Sequence, residues 1–348
     1  MDVLKIIIPT ILSFFIGLSI TPFFTKYFYK YKMWKKSPRT EADTSEVFNG
    51  IHNTDSEMST PRVGGVIIWS SVFLVVCTIY IVSIFFDISV ADKLNFFSRS
   101  QTVVPLGAFF FAALVGLSDD LLQIFGKGTY AKDALVYRKV KIVLVTLIGL
   151  AIAFWFYYKL DFTSVHIPFG GDLVIGLWFI PFFVLVMLAT FSTSVIDGLD
   201  GLAGGVLASS FVAFAVIAFV NNQIDISALS GSIAGAILAF LWFNIPPARF
   251  YMGESGMLAL TVVLSVIAFL TDSVLLLPII AFPLALTSLS NIIQMVSYKF
   301  FNKHRVFKIA PLHHHFQAIG WPREKVVMRY WIVSVIFAFV GVILALIS

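Results

Sequence analysis

Two carboxylates, Asp197 and Asp200, stand three residues apart in Ser194-Val195-Ile196-Asp197-Gly198-Leu199-Asp200-Gly201-Leu202-Ala203, between apolar runs of the kind that cross membranes. An ionised acid at the centre of such a run costs about 2.5 to 3.5 kcal/mol on insertion scales, so it marks a working site by default. Read as the first turn of a helix, the two acids share one face, and Gly198 and Gly201 leave room for a ligand beside the backbone. A second acidic pair, Asp119-Asp120, ends the third apolar run. Neighbours on a helix point about 100° apart, so a division of labour is natural, one acid toward a metal or phosphate and the other toward an acceptor. The plain alternative is two acids meeting water at a helix end.

Glu254 lies between glycines in Tyr251-Met252-Gly253-Glu254-Ser255-Gly256, downstream of Asn244. It suits Mg²⁺, which takes one or two carboxylates and completes its octahedron with water and substrate phosphate. An acid near a helix N-terminus is equally favoured there without any ligand. Tyr251 offers a surface for a flat ring. His313, His314 and His315 point in different directions in either helix or strand, so one zinc shared by all three is poorly supported. Hydrogen bonds and partial charge toward a diphosphate fit them better, a basic surface loop being the alternative. Arg138, Lys139 and Lys141 open the fourth span, where they attract anionic head groups or simply obey the topology rule.

The elements that must position these groups follow from composition. With 59% hydrophobic and 12% charged residues, and 37 Phe in 348, the chain is an all-α polytopic membrane protein. Apolar stretches place ten spans near 3–24, 63–86, 102–118, 142–158, 173–191, 202–220, 228–243, 255–270, 274–298 and 330–347. Pro105, Pro181, Pro278 and Pro283 predict kinks within them. Numbered from an exterior N-terminus, every Lys and Arg except Lys5, Lys93, Arg99 and Lys159 falls on one side. The positive-inside rule makes that side cytoplasmic, with both termini exterior and all the candidate residues in or beside cytoplasmic loops. Residues 41–59 read as a polar irregular loop, and 161–172 as a small exterior hairpin. Cys77, the single cysteine, excludes an intrachain disulfide. Residues 1–348 read as one membrane-embedded domain, and nothing in the chain points to nucleic acid.

Acids, cations and imidazoles gathered at a cytoplasmic membrane surface suit metal-assisted transfer of a phosphoryl group whose other end is lipid. A transporter using its acids as a proton relay is the contrasting class, but transporters put their sites near the bilayer midplane.

These residues carry a resemblance. Gly64-Gly65 after Thr60-Pro61, Asp119-Asp120, Asp197-Gly198-Leu199-Asp200-Gly201, Phe240-Leu241-Trp242-Phe243-Asn244 and Ala310-Pro311-Leu312-His313-His314-His315-Phe316 with Gly320-Trp321 are among its marks. The chain resembles the polyprenyl-phosphate N-acetylhexosamine-1-phosphate transferases, most closely their phospho-N-acetylmuramoyl-pentapeptide transferase branch, over nearly its whole length. The resemblance implies a ten-helix enzyme of the bacterial plasma membrane, often a homodimer. Such an enzyme moves phospho-MurNAc-pentapeptide from its UDP carrier to undecaprenyl phosphate with Mg²⁺, releasing UMP and making lipid I for peptidoglycan. Carried over by position, Asp119, Asp120, Asp197, His313, His314 and His315 are catalytic, and Glu254 holds metal with Asp119 and Asp120. Asn244 and Tyr251 match the uracil-holding positions. Asp200, Gly198, Arg138, Lys139 and Lys141 complete the expected substrate-binding set. The chain departs from the family pattern at Glu254, where Asp is usual, at Ser194, where Asn is usual, and at Gln123, where Lys is usual. A UDP-GlcNAc or related aminosugar transferase and an inactive binding homologue are the alternatives.

Overall fold

The computed structural model describes residues 2–34, 58–85, 89–98, 101–126 and 134–348, with the backbone course alone for 89–91 and 134–138. Most of the polar loop expected at 41–59 thus lies outside the described residues. In chain order the helices are α1 (Asp2–Lys30), α2 (Gly65–Phe85), α3 (Ser89–Leu94), α4 (Val103–Phe125), α5 (Ala134–Lys159), α6 (Phe179–Ser192), α7 (Leu202–Val220), α8 (Ile224–Asn244), α9 (Gly253–Leu270), α10 (Leu277–Ile280), α11 (Phe282–Phe300), α12 (Leu312–Ala318) and α13 (Arg323–Ile347). Among the described residues nine helices are long and apolar enough to cross a membrane, or ten with the bent pair α10–α11 taken as one span.

Several helices outrun the apolar windows that announce them. The helix of the third span continues to Phe125, so Asp119 and Asp120 sit inside α4 rather than at its end. Likewise α5 begins at Ala134 and α13 at Arg323, each well before its apolar core. A hydropathy window closes at the first charges, whereas a helix satisfies its own backbone bonds and lets long side chains reach the interface.

The ninth span is the larger correction. Instead of one kinked helix over 274–298, a short 3₁₀ and α piece over Val274–Ile280 meets α11 at 86°. Pro278 and Pro283 stand five residues apart. Each stands in the first turn of the helix that it opens, and Pro283, with no N–H and with its ring crowding the carbonyl of Ile279, stops the first piece from running straight on into α11.

The exterior hairpin forms as expected, β1 (Ser164–Ile167) antiparallel to β2 (Gly171–Val174). His166 Nδ1 lies 2.9 Å from Asp172 Oδ1 across the strands. At the same end of the bundle, Lys5 pairs with Asp225 at 2.6 Å and ties α1 to α8.

At the centre stands α9, with every residue but Glu254 buried. It packs against α2, α4 and α6. In membrane proteins such packing relies on small residues that let backbones approach, because lipid is as apolar as a leucine side chain. Gly116 of α4 is an instance near the acids: a Cβ there would overlap the Glu254 carbonyl oxygen. Gly116→Val is therefore expected to prise α4 from α9, costing about 1 to 3 kcal/mol by overpacking. The check is the unfolding temperature of the detergent-purified variant, which should fall well below that of Gly107→Val, whose Cβ meets nothing within 4 Å.

Candidate active site

The first turn of α9 organises the site. Its opening amides have no partner inside the helix and carry the positive end of the helix dipole. Two carboxylates supply what is missing. Asp120, 2% exposed, takes the Glu254 N–H on Oδ1 at 3.0 Å and the Ser255 N–H on Oδ2 at 2.8 Å. Asp197 Oδ2 accepts the Gly253 N–H at 3.3 Å. Three successive amides thus face two acids contributed by α4 and by the turn before α7. Gly253 has φ +69°, and a Cβ there would overlap the Arg62 carbonyl and stand 2.7 Å from Asp120 Oδ2. Only glycine takes that backbone shape without strain and leaves the acid room.

Asp119 points elsewhere, as adjacent residues on a helix must. Its Oδ2 accepts from Gln123 Nε2 at 3.1 Å and lies 3.3 Å from Lys141 Nζ. The Lys141 ammonium also pairs with Glu254 Oε1, bridging α4, α5 and α9. The other oxygen, Glu254 Oε2, is buried and has no hydrogen-bond partner among the described residues. Asp119, Lys141 and Glu254 form the polar end of a cavity of about 470 Å³ whose remaining wall is apolar except for Ser118, with Val115, Leu144 and Leu258 among its residues. Among the described residues no three His, Cys, Asp or Glu side chains make a ready-built metal cage. An ion that completes its shell with water and substrate phosphate does not require one.

Asp197 and Asp200 do not lie on a helix as the sequence reading has it. A 3₁₀ turn over Thr193–Ile196 ends at Asp197, and α7 starts only at Leu202 after Gly201 at φ +78°. The two acids nevertheless face one segment: Asp200 Oδ2 accepts the Ala248 N–H at 3.2 Å, five residues before the amide that Asp197 takes. Burial pushes the Asp200 carboxyl above its ordinary value, a shift opposed by the Ala248 N–H and by the Arg323 guanidinium. The turn is braced from both sides. Asn244 Oδ1 accepts the Gly201 N–H at 2.9 Å while its Nδ2 donates to the Phe250 carbonyl at 2.8 Å. Trp331 Nε1 donates to the Gly201 carbonyl at 3.1 Å. Tyr251 is fixed through its backbone, its N–H on the Pro61 carbonyl at 2.7 Å and its carbonyl taking the Gly64 N–H at 2.9 Å.

The three histidines lie in the first turn of the short helix α12, His313 and His314 with their rings side by side at Gly198 and His315 turned toward Lys308. His313 is fully buried against the Asp197 turn, and a Cβ on Gly198 would stand 2.5 Å from His313 Nε2 and 3.1 Å from His314 Nε2. His314 Nδ1 lies 2.8 Å from Gln317 Oε1. His315 Nδ1 accepts the Lys308 N–H at 3.2 Å. Burial, helped by the Lys308 charge, lowers the His315 pKa, which keeps the ring neutral around pH 7. Behind them Phe316 stacks on Trp321 at 4.7 Å, and the Arg329 guanidinium lies 4.1 Å over the same indole.

Asp119, Asp120, Asp197, Asp200, Gly198, Asn244, Glu254 and Lys141 are thus brought together, with His313 and His314 against them at Gly198 and His315 facing the 307–308 stretch. Lys139 stays exposed on α5, and the Arg138 side chain lies outside the described residues. Sequence reasoning missed the use of Asn244 and Trp331 as braces of the Asp197–Gly201 turn. Asn244 lies in a segment that carries the resemblance, but residue type alone does not tell a ligand contact from a brace.

The bundle and its acids define a membrane-embedded protein with a polar site at one end, and its class is that of a transferase, since residues 102–272 match the model of glycosyl transferase family 4. The full chain is 34% identical to the phospho-N-acetylmuramoyl-pentapeptide-transferase of Geobacillus sp. (strain WCH70) over 344 residues, 97% of this chain and 96% of that protein. It is 33% identical over 343 residues to the same-named protein of Caldanaerobacter subterraneus subsp. tengcongensis, 97% and 98%. With that of Chloroflexus aurantiacus it shares 34% over 302 residues, 84% and 78%. The chain belongs to the phospho-N-acetylmuramoyl-pentapeptide-transferase family, and it is a multi-pass membrane protein.

Two outcomes follow from the electrostatics. Lys141→Met leaves Asp119 and Glu254 without their shared cation, and breaking a buried pair of this kind costs about 3 kcal/mol. A matching drop in unfolding temperature, partly restored in Lys141→Met/Glu254→Gln, checks it. For Asp200 the folded pKa is raised above 3.8, so its contribution to stability is fully present below that value and is lost as pH rises through the folded one. Asp200→Asn should therefore stabilise the protein near neutral pH, with the gain over wild type shrinking as the solution is acidified. Melting curves across pH test the sign.

Proposed function

We propose that the protein transfers phospho-MurNAc-pentapeptide from UDP-MurNAc-pentapeptide to undecaprenyl phosphate at the cytoplasmic membrane face, giving lipid I and UMP. The observation that carries this reading is the network joining the α9 N-terminus, the Asp119–Lys141–Glu254 bridge and the histidine helix, in a chain related end to end to enzymes of that name. In the reaction an oxygen of the lipid phosphate attacks the sugar-bearing phosphorus, the bond to the UMP oxygen breaks, and UMP leaves with its electron pair.

In this reading Asp119 and Asp197 face the reacting phosphates. Asp120, with both oxygens held by amides, keeps the first turn of α9 in place and so presents Glu254. The orphaned Glu254 Oε2, with Asp119 beside it, is the site for Mg²⁺, which supplies charge neutralisation at the diphosphate when bound. Lys141 reaches both acids and is the nearest cation to share that load. The imidazoles of His313, His314 and His315 offer hydrogen bonds to the donor, and that of His315, its pKa lowered by burial, does so without adding a fixed charge. Asp200, Gly198, Tyr251 and Asn244 frame the nucleotide end, Asn244 through the backbone that it braces. Direct attack with an acid as base and a two-step route through an aspartyl-phosphate use the same residues. Residues 1–348 act as one membrane-embedded unit, and the apolar faces that α1 and α13 leave outward suit lipid or a second copy in a homodimer.

The test is UMP release by purified protein with undecaprenyl phosphate and Mg²⁺, run in parallel on UDP-MurNAc-pentapeptide and UDP-GlcNAc. Turnover of the first is expected; turnover of the second alone would replace the reading with an aminosugar transferase, and folded but silent protein would refute both. Asp120→Ala and Asp197→Ala should each abolish turnover, while Glu254→Asp keeps it with an altered Mg²⁺ requirement.

A further inference from the structure

The histidine helix hangs on residues 301–311, a stretch without regular structure, so something must set its height against the Asp197 turn. From the end of α11 this stretch turns back and runs antiparallel to the helix it has just left. Three α11 side chains spaced by four and then three residues, Ser290, Gln294 and Ser297, share one face of the helix. They catch the returning chain in reverse order. Ser297 Oγ donates to the His304 carbonyl at 3.0 Å. Gln294 grips both backbone groups of Phe307, its Nε2 donating to the carbonyl at 3.0 Å and its Oε1 accepting the N–H at 3.0 Å. Ser290 Oγ accepts the N–H of Leu312, the first residue of α12, at 3.0 Å. From 297 back to 290 the helix spans about 10 Å, so the three anchors are distributed along its axis rather than bunched at one point.

The anchored stretch bears directly on the histidines. The Phe307 ring meets the His315 ring edge-on at 5.5 Å, and the next residue, Lys308, donates its N–H to His315 Nδ1. A neutral imidazole whose Nδ1 accepts carries its proton on Nε2. Two residues before Ser290 on α11, Ser288 shares a hydrogen bond with Ser192 at 2.6 Å, joining the helix to the element that leads into the Asp197 turn.

We propose that Ser290, Gln294 and Ser297 are positioning residues: they form a polar stripe on α11 that fixes the register of the histidine helix against Asp197–Gly201 and holds His315 as its Nε2–H tautomer. The inference rests on the reading that the histidines act on the donor. None of the three need touch substrate.

Hydrogen exchange and kinetics on the full-length protein in detergent test it together. In Gln294→Leu and Ser290→Ala the amides of 304–312 should exchange faster while those of α9 keep their protection. In both variants kcat for UMP release should fall on the order of tenfold to a hundredfold, the scale of a small misplacement of catalytic groups, with KM for the lipid acceptor little changed. Gln294→Glu supplies a readout that general destabilisation would not move. A protonated Glu can both donate to the Phe307 carbonyl and accept its N–H, whereas the carboxylate cannot donate. Its activity relative to wild type should therefore climb as pH is lowered from about 8 toward about 5, while that of Gln294→Leu stays flat. Full kcat in Gln294→Leu, unchanged exchange at 304–312, or identical pH dependence of the Glu and Leu variants would overturn the proposal. Wild-type protein silent on both donors would refute the proposed reaction, and the exchange pattern would still decide the docking.

Discussion

Everything at the cytoplasmic end of this bundle depends on one contact, the Asp120 carboxylate against the first amides of α9. A carboxyl group so deeply enclosed is tolerable only where donors satisfy its oxygens, and the amides of a helix N-terminus are of that kind. The contact fixes α4 against α9, which Gly116 permits by its lack of a side chain. It thereby presents Glu254 at the one place on α9 that is not wholly enclosed, where Lys141 and Asp119 meet it. Asp197 joins the same helix start through Gly253, and the histidine helix then has a fixed wall to rest on, at Gly198. Most of the chemistry-bearing groups are thus referred back to a single helix terminus.

Much of this architecture was legible in the sequence, for a definite reason. Spans reveal themselves because lipid demands long apolar helices, and their orientation because lysine and arginine are sorted by side. What hydropathy cannot convey is direction. The window over 274–298 contains the right residues for a span but says nothing of an 86° corner, which falls where Pro283 opens a new helix instead of continuing the old one. Nor does it see a helix that continues through its charges, so Asp119 and Asp120 read as a terminus when they lie within α4.

The candidate site divides along similar lines. Residue types and spacing point to Asp119, Asp120, Asp197, Asp200, Glu254 and the histidines, and the fold joins them. Their mutual geometry is a tertiary matter: Asp197 and Asp200 face one segment because the turn between them is irregular, the opposite of the helical argument that first grouped them. Asn244 shows the limit of reading identity as role. Its amide spans two backbone strands of the site, a task that any alignment with nucleotide-binding positions leaves invisible. The serines and glutamine of α11 are similarly silent in sequence, since polar residues at helical spacing also describe an ordinary amphipathic helix.

The separation of Asp120 from its donors has a bearing on how the protein is made. The acceptor and the Ser255 amide are 135 residues apart, with four membrane helices between them. On a translating ribosome α4 is therefore handed to the membrane long before α9 exists, and its two acids must wait without the amides that will hold them. They can do so because they lie less than two turns from the end of α4, within reach of cytoplasmic water. Seated at mid-depth, the same pair would oppose insertion of its own helix. The position of the acids close to the mouth of the bundle is thus a requirement of biosynthesis as much as of chemistry, and the site closes only when the chain's eighth long helix slides in behind its third.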